Sequence, residues 1–244
     1  MVKFGKELKR QQKEEWRDYY IHYSMLKKLL EDSIPKKIGN SDDENLSIKL
    51  TNEELEGIST KFLFLLDSEI ENIVLFYLSK EGELADSLRR IMNHLDTKQI
   101  SSESLSSSEV TELDDELARI GYEIVDLTYY LHLNVTGIRK ILKKHDKNIR
   151  KFQLAAEYLS HRTTEPDSQL LQLYHHEGIS ALTGTLRHCY EKLKNVFGGS
   201  FSYQFALSDE DVFFEIAHSK VSCCLVCLIL KIGEMGNQPF SYFV

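Results

Sequence analysis

Proline occurs only three times in 244 residues and glycine twelve times, so little in this chain is placed to break a helix and long uninterrupted helices are permitted. Cysteine is also scarce. Of the four present, three crowd together at Cys223, Cys224 and Cys227, which is unlike a disulfide framework, and no signal-peptide pattern precedes Phe4. Long apolar runs are missing as well. The longest, Val221 to Ile232, is interrupted by Ser222 and Lys231 and is too short to span a bilayer. Positive charge is in deficit: 30 Lys and Arg stand against 38 Asp and Glu, a formal net charge of −8. That balance argues against a general nucleic-acid binder. The expectation is a soluble, cytoplasmic chain with no membrane span. Its 42% hydrophobic content is enough for a real core in one or two domains.

What is present is helical periodicity almost throughout. Residues 1–31 read as a short helix and then a longer one, with Trp16, Tyr19, Tyr20, Tyr23, Leu26 and Leu30 in one stripe. Pro35 to Lys49 is a polar loop. Thr51-Asn-Glu-Glu54 forms a capping box. It opens a helix with Phe62, Leu66, Ile70, Ile73, Tyr77, Leu84, Leu88, Ile91 and Leu95 at its apolar positions, and Gly82 is a weak point that need not break it. Thr97 to Ser108 is serine-rich and reads as a flexible linker. Beyond it Leu113, Leu117, Ile120, Ile124, Leu127 and Leu131 step alternately by four and three, a coiled-coil seam. The seam continues through Ile138, Ile141 and His145, which puts Gly137 inside one long helix. Helices of about 45 to 50 residues extend roughly 70 Å.

The predicted fold is therefore all-α: an N-terminal helical hairpin packed at one end of two long antiparallel helices, followed by a further short helix. The expected boundaries are 1–165 for the main helical domain, 166–196 for the additional helix and 197–244 for a divergent tail.

Within this acidic chain, Thr136 to Lys151 is strongly basic, with seven Lys and Arg against one Asp. At about 100° per residue, Lys140, Lys144, Lys147 and Lys151 share one face with Lys143 beside them, while Ile138, Ile141, Leu142, His145, Ile149 and Phe152 take the other. Such a run read alone is a solvated helix face. Yet like charges at i, i+4 repel by a few tenths of a kcal/mol, so a polyanion would compensate the stripe. Lys27 adds to this. It lies among Tyr23, Leu26 and Leu30, where a lone lysine usually snorkels. A tyrosine hydroxyl one turn away makes the two a compact donor pair for a phosphate oxygen.

Three separated motifs resemble the SPX domain: the opening Met-Val-Lys-Phe-Gly-Lys-Glu-Leu, the step Tyr23-Ser-Met-Leu-Lys27-Lys28, and the string Lys140-Ile-Leu-Lys-Lys-His-Asp-Lys147. The resemblance covers about residues 1–165. It implies a helical hairpin on two long helices and a basic surface that binds inositol polyphosphates and pyrophosphates as signals of cellular phosphate status. Matched motif by motif, Tyr23, Lys27 and Lys144 correspond to the cluster that grips one phosphate group. Lys140, Lys143 and Lys147 correspond to the neighbouring lysine surface, and Lys3 to the N-terminal lysine near the ligand. The stretch Glu165 to Leu182 continues to resemble one plant branch. In that branch the SPX domain faces the cytosol and precedes a major-facilitator transporter that moves phosphate across the vacuolar membrane. This chain departs from the pattern, since no transmembrane helices follow and the tail matches nothing there. Transport by this polypeptide is not expected.

Other motifs carry less. His175-His176-Glu177 lacks a second pair at ligand spacing, so surface histidines are expected and no metal. Cys223-Cys-Leu-Val-Cys227 lacks a partner cluster and reads as buried thiols. Gly198-Gly199 is a turn without the Lys-Ser/Thr of a phosphate loop. Asp114, Asp115 and Glu116 are a solvated helix start. With no nucleophile–base–orienter set marked out by context, neither catalysis nor a cofactor is expected.

Two functions of different class stand. In one, an inositol polyphosphate bridges the hairpin and the long helix, and the occupied surface recruits a protein partner or biases an attached domain. In the other, the heptad seam makes a coiled-coil scaffold and the lysines keep it soluble. A scaffold would more naturally set Glu among those lysines as i, i+4 pairs.

Overall fold

The computed structural model describes residues 4–33, 51–101, 105–149, 153–165, 168–175 and 177–197. Lys3, the loop from Pro35 to Lys49, Lys151, Phe152, the side chains of His175 and His176, Gly198-Gly199, the Cys223–Cys227 cluster and the tail lie outside the described residues. Seven α-helices are described: α1 (Phe4–Gln11), α2 (Tyr23–Asp32), α3 (Asn52–Ser101), α4 (Ser107–Asn148), α5 (Leu154–Thr164), α6 (Gln169–His175) and α7 (Glu177–Phe197). A 3₁₀ turn, Glu14–Tyr19, lies between α1 and α2. The additional helix expected at 166–196 is thus two helices.

The capping box forms as read. The Thr51 amide donates to the Glu54 carboxylate at 2.7 Å, and the Glu54 amide donates to the Thr51 hydroxyl at 3.2 Å. Those reciprocal bonds satisfy two donors at the start of α3 that have no intrahelical partner. Gly82 and Gly137 both lie inside their helices. At Gly137 the glycine makes room, because a Cβ there would come within 2.8 Å of the Ile21 side chain.

Two expectations are corrected. The serine-rich stretch from Thr97 to Ser108 is not simply a linker: α3 runs on to Ser101 and α4 starts at Ser107. The hydroxyls of Thr97 and Ser101 turn back onto the carbonyls of Asn93 and Thr97, as helical Ser and Thr can. Ser106 and Glu109 make a second capping box.

The second correction concerns the hairpin. The longer helix expected up to residue 31 is broken at Tyr20–His22, where the backbone is extended at Tyr20. Side chains from elsewhere claim the amides there. Ile21 N–H donates to Asn134 Oδ1 at 2.8 Å and His22 N–H to Glu69 Oε2 at 2.7 Å. The aromatic stripe divides accordingly: Trp16, Tyr20, Leu26 and Leu30 are buried, Tyr19 is exposed and Tyr23 is half-buried.

The chain forms two compact units, each receiving a segment of α3 and of α4. The first comprises Met1–Phe76 and Leu133–Leu173. Its α3 and α4 segments pair antiparallel, with Phe62 stacked on His145 at 4.9 Å between centroids. Leu26, Leu30, Phe62, Leu66, Ile138, Ile141 and Leu142 are wholly buried in it. Helix α5 is tied to α3 by Tyr158, whose hydroxyl donates to Asp67, and by Arg162, 2.9 Å from the same carboxylate.

The second unit comprises Tyr77–His132 and Tyr174–Val244. There Leu84, Leu88, Ile91 and Leu95 of α3, with Leu117, Ile120, Ile124 and Leu127 of α4, are buried, as periodicity requires. Helix α7 contributes Leu182, Leu186 and Leu193 to the buried set. It is joined to α3 by the Lys192–Asp96 ion pair. Cys189 is a free, buried thiol whose Sγ lies 3.8 Å from the Leu88 carbonyl, and burial pushes it up to about 11.

Candidate anion site of the first unit

The break at Tyr20–His22 decides where the site starts. With the Ile21 and His22 amides held by Asn134 and Glu69, α2 begins at Tyr23. Tyr23, Lys27 and Glu31 then follow at i, i+4 and i+8 and line one face of α2. Helix α4 presents Lys144 to that face. The Glu31 carboxylate oxygen Oε1 lies 3.0 Å from Lys144 Nζ and 3.6 Å from Lys27 Nζ. Both lysines hold the Glu31 carboxyl below the usual range, the hydrogen bond from Lys144 contributing most. Burial first, and the Glu31 charge second, push the Tyr23 phenol upward, so it keeps its proton and remains a donor.

Lys140 is reached by a second route. Its Nζ lies 4.5 Å from the centroid of the Phe4 ring, and that ring meets Tyr23 edge-on at 5.0 Å. Phe4 of α1 therefore touches both Tyr23 of α2 and Lys140 of α4. Lys143 and Lys147 are exposed on α4 and make no ion pair among the described residues. Of the seven residues singled out in the sequence, Lys27 and Lys144 meet at Glu31, Tyr23 and Lys140 both touch Phe4, and Lys143 and Lys147 are exposed on the same helix. Lys3 is outside the described residues.

Two participants were not anticipated, Phe4 and Glu31. The signal for Glu31 was available, because it lies four residues beyond Lys27 and eight beyond Tyr23. What the spacing could not reveal is that Lys144 would share its carboxylate.

Beneath the lysine face the helix is anchored by His145, which is wholly buried. Its Nε2 lies 3.0 Å from Ser59 Oγ and its Nδ1 lies 3.2 Å from Asp146 Oδ1. The row Ser59–His145–Asp146 has the composition of a nucleophile–base–orienter set, which the sequence did not mark out. Here it is a core strut. The ring is inaccessible, Ser59 Oγ also donates to the Leu55 carbonyl at 3.0 Å, and Asp146 Oδ2 accepts from the Ala155 amide at 2.9 Å. A buried polar row linked by hydrogen bonds in this way fixes packing.

The strut makes stability depend on pH. Burial pushes the imidazole below its ordinary 6.5, so the folded chain resists a proton that the unfolded chain accepts. Stability is complete above about pH 6.5 and is lost as pH falls through the folded value. Between about pH 7.5 and pH 5.5 the melting temperature of the parent chain should fall more than that of His145→Gln, which has nothing to titrate there. Parallel losses would assign the acid sensitivity to other groups.

Chemically, two ammonium groups converge on one carboxylate oxygen, with the Tyr23 phenol on the same face of α2 and further lysines alongside. All are donors, and an oxyanion is what such a set recognises. The SPX domain family is matched over residues 2–53. An SPX domain-containing membrane protein of Oryza sativa subsp. japonica is 33% identical over 186 residues, 76% of this chain and 24% of that protein. One of Arabidopsis thaliana is 32% identical over 203 residues, 83% of this chain and 26% of that protein. This chain spans about a quarter of the length of these curated relatives. Among solved structures, the fold is similar to the SPX domain of Chaetomium thermophilum glycerophosphodiester phosphodiesterase 1, which was determined in complex with inositol hexakisphosphate. The TM-score is 0.57 at 23% identity, over 79% of this chain and 99% of that one. With three motifs, the helical fold and these relatives in agreement, the chain belongs to the SPX domain family.

Proposed function

We propose that this chain is a phosphate-status sensor that binds inositol polyphosphates and pyrophosphates on the face formed by α2 and the end of α4. The observation that carries this reading is the approach of Lys27 and Lys144 to one oxyanion position, with Tyr23 on the same face of α2. Lys140, Lys143 and Lys147 continue from it along α4. Clustered ammonium groups suit clustered phosphates, because each phosphate added to the ligand finds another donor. Lys3 would join from the N-terminus. The bound inositol hexakisphosphate of the similar SPX domain supports the ligand class. The site binds and does not catalyse.

In this reading residues 1–165 are the ligand-binding domain, 166–196 an additional helical segment and 197–244 a divergent tail. The occupied face, turned to the cytosol, recruits a protein partner or biases an attached domain, and so regulates phosphate transport. Calorimetric titration with inositol hexakisphosphate tests the claim directly. Inorganic phosphate at equal concentration binding as well would overturn the multivalent site.

A coiled-coil scaffold retains one observation in its favour, the Lys27–Glu31 pair at i, i+4, which an ordinary solvated helix also makes. Tyr23→Phe separates the readings. Its hydroxyl has no hydrogen-bond partner among the described residues, so its loss leaves the fold intact. In the sensor it removes a donor to a phosphate oxygen and lowers binding by about 0.5–1.5 kcal/mol. Unchanged affinity with a lowered melting temperature would move Tyr23 to the core.

A further inference from the structure

Glu31 is an acidic residue at the centre of a cluster built to hold an anion. Its Oε1 meets Lys144 at 3.0 Å and Lys27 at 3.6 Å, and the Tyr23 phenol feels its charge. We propose that Glu31 is an internal competitor for the phosphate-binding position: its carboxylate occupies, in the free chain, the place a ligand phosphate takes, and a ligand binds by displacing it. The proposal rests on the sensor reading above and concerns the selectivity of that same site.

Three observations support it. First, the atoms are equivalent in kind, since carboxylate and phosphate oxygens both accept from ammonium and phenol donors. The two lysines already converge on one such oxygen. Second, Glu31 is easily released. Its side chain is 42% exposed and its ion pairs are with Lys27 and Lys144, so water already reaches the carboxylate and can solvate it as the two pairs part. Third, its carboxyl is held below the ordinary range by those lysines. It is therefore fully charged near neutral pH and competes at full strength.

Selectivity follows. A lone anion gains the same two lysines that Glu31 gives up, and then stands near a displaced negative charge. A ligand carrying several phosphates makes further contacts with Lys140, Lys143 and Lys147, which Glu31 does not reach. Each phosphate group carries about −1.5 to −2 charge and three acceptor oxygens, against one charge and two oxygens for the carboxylate. Glu31 thus sets a threshold that polyphosphorylated ligands pass and simple anions do not.

A purely structural role for Glu31, tying α2 to α4, predicts the opposite sign. In that case its removal loosens the cluster and weakens binding. The test is titration of the whole chain with inositol hexakisphosphate and with inorganic phosphate, using the parent, Glu31→Gln, Glu31→Ala, Lys144→Ala and the Glu31→Gln/Lys144→Ala pair. Glu31→Gln and Glu31→Ala should both bind inositol hexakisphosphate more tightly, roughly threefold to tenfold, the range expected for relief of two half-exposed ion pairs. Binding of inorganic phosphate should also become measurable or stronger. The gain should shrink in the Lys144→Ala background, because the competitor acts through that lysine. If the parent binds inositol hexakisphosphate and Lys144→Ala weakens it, but neither Glu31 variant binds more tightly, the competitor is overturned and the sensor survives. If neither parent nor Glu31 variants bind inositol hexakisphosphate at all, the sensor reading itself is overturned.

Discussion

Lys144→Ala should lower affinity for inositol hexakisphosphate roughly 10- to 100-fold. Hydrogen bonds to charged groups contribute about 1.5–3 kcal/mol each, which sets this range. Lys144 belongs toward the upper part of that range. Its side chain is only 26% exposed, so salt screens it less than it screens a lysine on open surface. It also approaches the shared oxyanion position more closely than Lys27 does. Exposed Lys147 is the control, because a single screened contact there should change affinity only a few-fold. The measurement is paired titration of the parent and both variants at low and physiological ionic strength. A larger loss from Lys147→Ala than from Lys144→Ala would place the phosphate away from α2.

Ile141→Ala should destabilise the fold by about 2–5 kcal/mol, the usual result of opening a cavity in a core that relaxes only partly. Ile141 is wholly buried on α4, one residue from Lys140 and two from Lys143, which are exposed. Neighbouring positions on one helix thus face opposite environments. Lys140→Ala, Lys143→Ala and Lys147→Ala should each leave stability within about ±0.5 kcal/mol, even though Lys140 gives up its contact with the Phe4 ring. Thermal melts of the four variants decide this. Lysine variants that unfold would show the basic stripe to be part of the structural core.

These two expectations bear on different parts of the molecule, and they were not equally legible beforehand. Ile141 could be placed in the core from its position in the step of four and three that begins at Leu113. The role of Lys144 required the resemblance of three motifs, because a basic run alone reads as a solvated face. Glu31 is visible in the spacing of α2, yet its meaning is not. An i, i+4 Lys–Glu pair is ordinary on any helix, and only the approach of Lys144 makes this one the occupant of a site.

Local order was readable from residues a few positions apart. Periodic burial along α3 and α4, the capping box at Thr51 and the continuity of α4 through Gly137 depend on neighbours three or four residues away, which the sequence itself supplies. The segregation of lysines from isoleucines on α4 is likewise a property of spacing. The break at Tyr20–His22 was decided by tertiary structure, because the groups that take its amides, Asn134 and Glu69, are 113 and 47 residues away. The same is true of why Gly137 is glycine, since the side chain that needs its space belongs to Ile21. It is true again of the anion position, assembled when α4 lays Lys144 against Glu31. Helices follow from contacts within a turn of chain, whereas a site needs groups from distant segments to meet, and only packing brings them within hydrogen-bonding distance.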